Sequence, residues 1–356
     1  MVKPSFSEVK LSDDKRDLSF VLHGTSLPVA NGIVRALQAD VETVAFDVEP
    51  YDETQLQVVA NTGGLNDHML LSRLGQVPIH FDPVEVDAFA RENYVFVLRA
   101  ACPRDRVGGT LDVTSRDIRV LDADGRDLGA RVADRLFPVD PVTGDGVLLA
   151  RLRPGEEVHV KGPATRASGR RHACFCPVSR VGLSHVRDAA AVRRDAAAIK
   201  DAVAREAFLA LGADRVTERD ADGEPCVFRI VLRSECGLPP KELVRRALMR
   251  LRERVGGAAK AVADGEVPQV ASEGGLTELC FEAGQDSTLG EIMQYHCCAA
   301  LRAAGKKDAF VGYDTPHPLS ERMLFRMPAE RAAEVFQAAA DAAVKEITAV
   351  MHALPA

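Results

Sequence analysis

Residues 280–291, Cys280-Phe281-Glu282-Ala283-Gly284-Gln285-Asp286-Ser287-Thr288-Leu289-Gly290-Glu291, open the stretch from which the fold can be read. A helix-like segment follows, then residues 310–319, Phe310-Val311-Gly312-Tyr313-Asp314-Thr315-Pro316-His317-Pro318-Leu319. A short strand pattern, Met323-Leu324-Phe325-Arg326, and an alanine-rich run complete the chain. Gly284 and Gly290 bracket a polar turn, and Asp286 or Ser287 can cap the next helix by accepting from its unpaired N–H groups. Ile292, Met293, His296, Ala300 and Leu301 lie three to five apart, so one side of that helix can be buried. Pro316 and Pro318 forbid helix around His317 and fix an extended turn. In the last segment Ala332, Val335, Phe336, Ala339, Ala343, Val344, Ile347, Val350 and Met351 form one stripe on a long helix, and that apolar face needs a partner.

This stretch resembles the eleventh subunit of eukaryotic RNA polymerase II and its archaeal L-type counterpart. The shared features are an acidic-Thr-Leu-Gly turn, a Gly-Tyr…Pro-His-Pro-Leu loop, then strand and long helix. Asp286, Thr288, Leu289, Gly290, Gly312, Tyr313, Pro316, His317, Pro318 and Leu319 carry the match over roughly the last quarter of the chain. Ser287 and Glu291 depart from it, where the family usually has His and Asn.

At the other end, residues 18–22 read as a strand and 24–28 as a turn, with Ser26 a helix cap and Pro28 in the first turn. Val29, Ile33, Ala36, Leu37 and Val41 make a helical apolar stripe, after which residues 40–47 end the helix and begin a strand. Periodicity alone gives an amphipathic core helix. The words it carries, Leu27-Pro28-Val29-Ala30-Asn31-Gly32-Ile33-Val34-Arg35-Ala36-Leu37, resemble the small-Asn-small-apolar-Arg-Arg helix of the third-largest subunit of RNA polymerase II. The archaeal D-type counterpart and the amino-terminal domain of bacterial alpha share that helix. Ala30, Asn31 and Arg35 match, Val34 replaces the first arginine of the pair, and Glu42 stands where the family commonly has proline. In the family this helix packs in the dimer interface and its arginine face meets a large subunit. Losing one bidentate donor implies an altered contact here.

A helix over 67–74, capped by Asn66 or Asp67 and stopped by Gly75, resembles the family's Asp-Glu…Arg-Leu-Gly…Pro element, with His68 for Glu and Ser72 for His. Arg73 is either a solvated helix-end cation or, by the resemblance, part of a structural contact. Residues 94–101, 109–114, 118–121, 146–152 and 157–161 alternate or run apolar between turn signals. Asp124-Gly125 and Pro154-Gly155 are the clearest of those turns. They predict a β-rich insert resembling the family's, with 169–177 leading back out of it. The alanine-rich segment 188–211 reads as helix and matches nothing. A strand over 226–232 precedes a helix over 239–255, with Leu243, Ala247, Leu248 and Leu251 on one face. Residues 256–275, rich in Gly, Ala and charge, read as a loose connector.

The favoured fold is therefore α+β, with two related dimerisation half-folds paired as an intramolecular pseudo-dimer and a β-rich insert. The expected boundaries are 1–42 and 179–256 for the two parts of the first half-fold, 43–178 for the insert, 257–274 for a linker, and 275–356 for the eleventh-subunit-like module. By the resemblance, Ala30, Asn31, Ile33, Arg35, Leu37, Arg73, Leu248, Thr288, Leu289, Gly290, Tyr313, His317, Pro318, Val335, Phe336 and Ile347 are the interface residues. Burial of the apolar stripes is the driving force. Fusion would raise the effective concentration of the halves to the order of millimolar for a flexible linker.

The 356 residues suffice for two or three domains. Hydrophobic residues at 46% and charged residues at 27% are ordinary for a globular protein. A net charge of -7 disfavours phosphate-led nucleic-acid binding by the whole chain. No apolar run approaches the ~18 residues that would span a bilayer, and residues 1–14 lack a signal-peptide core. The eight cysteines have no framework spacing, which suits a reducing intracellular compartment.

His172, Cys174 and Cys176 invite a metal or nucleophile reading, but they supply three crowded ligands where zinc wants about four, so packing is favoured. Some third-type subunits carry a cysteine-rich zinc loop. The corresponding region, 81–94, has no cysteine here, and that loop and its zinc are expected to be missing. Cys297 and Cys298 read as a core thiol beside a surface thiol. His317 has no relay partner placed by sequence, and no P-loop, dinucleotide or metalloprotease motif occurs.

What the resemblance implies is a non-catalytic assembly platform of a DNA-directed RNA polymerase, without catalytic residues, metal or cofactor. Its partners would be the second-largest and largest subunits and the small tenth- and twelfth-type subunits, with DNA reached only through the complex and no membrane. Such fusions resemble those of large DNA viruses, which would put the chain in the virion and the host cytoplasm or nucleus. The alternatives are a free-standing transcription adaptor on the same fold and a cysteine hydrolase using Cys174 and His172.

Overall fold

The computed structural model describes residues 3–106, 108–282, 284–306, 308–317, 322–328 and 331–355, with the backbone alone at 273. The chain is α+β and forms two compact units. The first comprises Met1–Leu37, Arg180–Leu232 and Val244–Ala356, and the second Gln38–Ser179 and Arg233–Leu243.

The first unit holds two four-stranded sheets. One runs in the order Ser5–Leu11, Asp17–His23, Val227–Ser234, Val178–His185. The other runs in the order Gln269–Ser272, Leu276–Phe281, Met323–Pro328, Gly312–Asp314, and every neighbouring pair in it is antiparallel. In the Met323–Pro328 strand, Met323, Phe325 and Met327 are buried while Leu324, Arg326 and Pro328 are half-buried, the period of two that a one-faced sheet imposes. The Ser287–Ala303 and Ala332–Ala353 helices pack along each other. Phe336 fills the space between the second of these helices and its sheet, its ring 5.5 Å from that of Phe325 and 5.9 Å from that of Phe281.

The helical stripes fall where spacing puts them. Val29, Ile33, Ala36 and Leu37 of the Leu27–Ala39 helix are fully buried. So are Leu243, Ala247 and Leu248 of the Pro240–Ala263 helix, with Leu251 nearly so. On the C-terminal helix Phe336, Ala339, Ala343, Ile347 and Val350 are buried, and Val335, Val344 and Met351 flank them half-buried.

Two expectations need correction. Residues 257–274 are no loose connector. The Pro240–Ala263 helix runs through Gly256 and Gly257, and Gln269–Ser272 pairs with Leu276–Phe281. Val255, Ala258, Ala259 and Val262 continue the helix's buried stripe, and that burial outweighs the roughly 1 kcal/mol that a helical glycine costs. The segment 188–211 is helical as expected, in successive pieces. It forms Ala189–Ala198, capped by Asp188, then Ala202–Ala207, capped by Asp201, and a wide turn at Phe208–Gly212. A second capping aspartate inside the run restarts the helix. Ser26 stands at the start of the Leu27–Ala39 helix, its carbonyl accepting from Ala30, but its hydroxyl makes no hydrogen bond.

The second unit is β-rich. A four-stranded sheet runs Gln57–Asn61, Glu157–Gly162, Val95–Ala101, Ile118–Leu121. Two two-stranded sheets join Thr165–Ser168 to Glu42–Ala45 and Leu111–Thr114 to Leu148–Leu152. The Asp67–Gly75 helix is capped by Asn66, whose side chain accepts from the Met69 N–H at 2.8 Å. Gly75 lies inside that helix rather than beyond it, and it is glycine for want of room: a Cβ there would stand 2.6 Å from Val48 Cγ2. Gly75→Ala gains about 1 kcal/mol of helix propensity but forces a repacking that costs about 1–3 kcal/mol. A net loss, read as a lowered urea midpoint at unchanged slope, is the expected result.

Candidate functional site

Within the first unit, the Leu27–Ala39 helix near the N-terminus meets the Ser287–Ala303 and Pro240–Ala263 helices along a buried seam, and the Thr25–Ser26 turn before it meets the Ala332–Ala353 helix through Glu346. Gly32 makes the close approach possible. A Cβ on it would stand 3.2 Å from Ile292 Cδ1 and 3.4 Å from Leu251 Cδ1, so the front helix lies directly on the Ser287–Ala303 and Pro240–Ala263 helices. Ala30, Ile33 and Leu37 are the fully buried side of the front helix, and Leu248, Leu289, Ile292, Phe336 and Ile347 are buried in the same unit.

Polar contacts fix the register of this apolar seam. Arg35 donates from Nε to the Thr288 hydroxyl at 2.9 Å. Thr288 is itself buried, on the first turn of a helix capped by Asp286, whose carboxylate accepts the Thr288 N–H at 2.9 Å. The Arg254 guanidinium donates to the same Asp286 carboxylate at 2.8 Å, linking the Pro240–Ala263 helix to that cap. One turn on, Gly290 leaves room for the Tyr313 ring, since a Cβ there would lie 2.6 Å from the ring carbons. The Tyr313 hydroxyl donates to Glu291 at 2.8 Å. Burial, together with that bond to a carboxylate, pushes the Tyr313 phenol up to about 12.

A polar node sits deeper. Glu346 on the C-terminal helix is buried, and its Oε1 accepts the Thr25 hydroxyl and the Ser26 N–H, each at 2.7 Å. His296 Nε2 stands 3.2 Å from Glu346 Oε2, at ion-pair distance but off the axis of a hydrogen bond. Burial pushes the Glu346 carboxyl up. His296, the Ser26 N–H and the Thr25 hydroxyl outweigh it and hold the group below the usual carboxylate range.

Of the interface residues expected from sequence, Ala30, Ile33, Arg35, Leu37, Leu248, Thr288, Leu289, Gly290, Tyr313, Phe336 and Ile347 lie in the first unit, where Arg35 meets Thr288 and Gly290 faces the Tyr313 ring, while Phe336 packs against the sheet beside its own helix. Val335 is half-buried, and Asn31 and His317 are exposed. Pro318 lies outside the described residues. Arg73 belongs to the second unit, is exposed, and donates from Nη2 to the Leu148 carbonyl at 2.7 Å, at the wall of a cavity of about 430 Å³. Sequence reasoning did not find Glu346. The available signal was a carboxylate on the apolar face of the last helix, between Ala343 and Ile347.

Arg35→Ala is expected to cost about 1 kcal/mol, the usual net worth of one hydrogen bond. Thr288→Val should cost a similar amount, and the double variant should fall short of the sum, because both changes remove the same contact. Urea unfolding of the four chains is the check.

The His172, Cys174 and Cys176 group is a tight turn. His172 Nδ1 accepts the Cys174 N–H at 3.2 Å, and the Cys176 thiol donates to the Val178 carbonyl at 3.2 Å. Burial pushes the Cys174 thiol up to about 12, which starves it of the thiolate a nucleophile needs. Among the described residues no group of three His, Cys, Asp or Glu side chains could hold a metal ion. No described helix is long and apolar enough to cross a membrane.

Comparison with known proteins points to one class, the subunits of multisubunit DNA-directed RNA polymerases. The chain is 27% identical over 202 residues to subunit 3 of DNA-directed RNA polymerases II, IV and V of Arabidopsis thaliana, covering 51% of this chain and 58% of that one. It is 26% identical over 187 residues to the rpac1 subunit of polymerases I and III of Dictyostelium discoideum, covering 49% and 51%. With the human RPAC1 subunit of polymerases I and III it shares 30% identity over 191 residues, covering 47% and 50%. The chain thus spans about half the length of these curated relatives, all three of them cellular proteins. No protein-family model matches the chain.

Proposed function

We propose that this chain is a non-catalytic assembly-platform subunit of a DNA-directed RNA polymerase, in which a third-type half and an eleventh-type half pair within one polypeptide and dock the two large catalytic subunits. The observation that carries the reading is the seam itself. Residues 25–37 contact residues 288–346 through Gly32 against Ile292, Arg35 on Thr288, and Thr25 and Ser26 on Glu346. Its apolar character, pinned by a few polar contacts, is that of a structural interface rather than a substrate site. The similarity to polymerase subunits supplies the class of complex. The high thiol pKa at Cys174 weighs against the hydrolase alternative.

In this reading the β-rich second unit corresponds to the insert of third-type subunits, and the large-subunit contacts lie outside the seam. The exposed face of the front helix, with Asn31, is a candidate for such a contact. The test is co-expression of the full chain with the second-largest subunit of its own polymerase. Recovery of the pair at one-to-one stoichiometry through gel filtration is the expected result. A large subunit that assembles without this chain, and never elutes with it, would overturn the reading.

A further inference from the structure

The Thr25–Ser26 turn offers two donors at the start of the Leu27–Ala39 helix, the Thr25 hydroxyl and the Ser26 N–H, and both converge on one carboxylate oxygen at 2.7 Å. Helix starts of this kind are ordinarily satisfied by a neighbouring side chain of the same turn. Here the adjacent Ser26 hydroxyl makes no hydrogen bond, and the acceptor arrives from the last helix of the chain. We propose that the Thr25–Ser26 turn is a carboxylate socket and that Glu346 is its key, so that the front helix selects as its mate a helix presenting an acidic residue on an otherwise apolar stripe. The inference rests on the pairing of front and back segments in the first unit and not on membership of a polymerase.

Selection follows from desolvation. Glu346 is 5% exposed and His296 3%, so both are taken out of water when the seam closes. A carboxylate buried with two donors and an imidazole beside it is tolerated, while one buried without them is strongly penalised. Conversely, a mate with an apolar residue at this position leaves the Ser26 N–H and the Thr25 hydroxyl buried and unmet. The apolar stripes alone would let the last helix slide by one turn, since Ala339, Ala343, Ile347 and Val350 repeat at similar spacing. The single acidic side chain among them removes that freedom, in the way one buried polar residue fixes the register of a coiled coil.

The socket also makes the seam sensitive to acid. The titratable groups facing Glu346 are His296 and Tyr295, and Tyr295 is in turn faced by Asp220, Asp222 and Glu224. Because the folded carboxyl is held below its ordinary value, its stabilising contribution is present above the unfolded carboxylate range and is lost as pH falls through the folded value. Protonation removes the charge that the two donors and His296 favour.

The experiment compares the full wild-type chain with Glu346→Gln, Glu346→Leu and Thr25→Val. Hydrogen exchange is read at the Ser26 amide, and urea midpoints are read from neutral pH down to about pH 2, through and below the ordinary carboxylate range. Glu346→Leu should raise the exchange rate of the Ser26 amide by about tenfold to a hundredfold, the factor that one lost buried acceptor represents. Glu346→Gln, which keeps an acceptor, should restore most of the protection and flatten the decline of the midpoint in acid. Thr25→Val, which leaves the Ser26 bond intact, should raise the rate less than Glu346→Leu does. Unchanged Ser26 protection in Glu346→Leu, or an acid profile of Glu346→Gln that parallels wild type, would overturn the proposal. If Glu346→Leu does not fold, the Gln and Thr25 variants decide it by the same two readouts. Co-elution with a large subunit is not part of this test, so its outcome stands apart from that of the assembly reading.

Discussion

Phe336→Ala should lower the unfolding free energy by about 3–5 kcal/mol, the range for truncating a fully buried phenylalanine. Phe336 has no exposed surface, and its ring contacts Phe325 edge-on and Phe281 at a tilt. Its removal opens a cavity between the Ala332–Ala353 helix and the Leu276–Phe281 and Met323–Pro328 strands, and neither strand can close in without breaking the ladder that joins them. Phe336→Leu, which keeps most of the volume, should recover a large part of the loss. Equilibrium urea unfolding at neutral pH distinguishes the two. A Phe336→Ala chain with a wild-type midpoint would mean that this helix and sheet do not form one core.

Ile292→Ala should cost about 2–5 kcal/mol, the usual range for an isoleucine with no exposed surface. Its diagnostic value lies in where the damage appears. Ile292 packs against Gly32, which belongs to the other end of the sequence. Hydrogen exchange should therefore rise in the Leu27–Ala39 helix as well as in the Ser287–Ala303 helix. If the two ends were separate folding units, only the second helix would respond. The pattern tests the seam without reference to any partner protein.

Much of this architecture was legible in the residues. The front helix was visible because Val29, Ile33, Ala36 and Leu37 repeat at helical spacing, and all four are buried. The insert strands were visible because turn dipeptides punctuate them. Asp124-Gly125 and Pro154-Gly155 place Gly125 and Gly155 at φ values of 79° and 86°, where glycine is favoured. Asp286 was visible as a cap because it precedes the Thr-Leu-Gly turn, and its side chain accepts the Thr288 N–H.

What stayed hidden were features decided by packing between distant segments. Gly75 reads as a helix stop and Gly290 as the edge of a turn, yet both lie inside helices, and they and Gly32 sit where a Cβ would press on Val48, the Tyr313 ring or Ile292. Gly256 and Gly257 looked like the start of a connector, but burial of Val255, Ala258 and Val262 carries the helix past them. Glu346 shows locally only as a carboxylate on an apolar helix face, and what it meets stayed hidden because its donors, Thr25 and Ser26, stand at the opposite end of the chain. Local propensity and periodicity read single elements well. They are silent about which elements meet, and the candidate site is a meeting of elements.

Arg35 is exposed, with its Nε engaged by Thr288 within the chain. Its neighbour Val34 stands where the resemblance expects a further arginine, and Val34 is nearly buried. In the proposed assembly the front helix would thus offer a large subunit fewer free guanidinium donors than third-type subunits usually do. The contact would shift toward other exposed residues of the helix, such as Asn31.

The most direct measurement is native mass spectrometry of a polymerase purified through a tag on this chain. The expected complex contains both large subunits, one copy of this chain, and no separate eleventh-type subunit, because in the proposed pairing residues 275–356 take that place. A complex in which a separate eleventh-type chain accompanies this one, or a tagged chain that recovers neither large subunit, would contradict it.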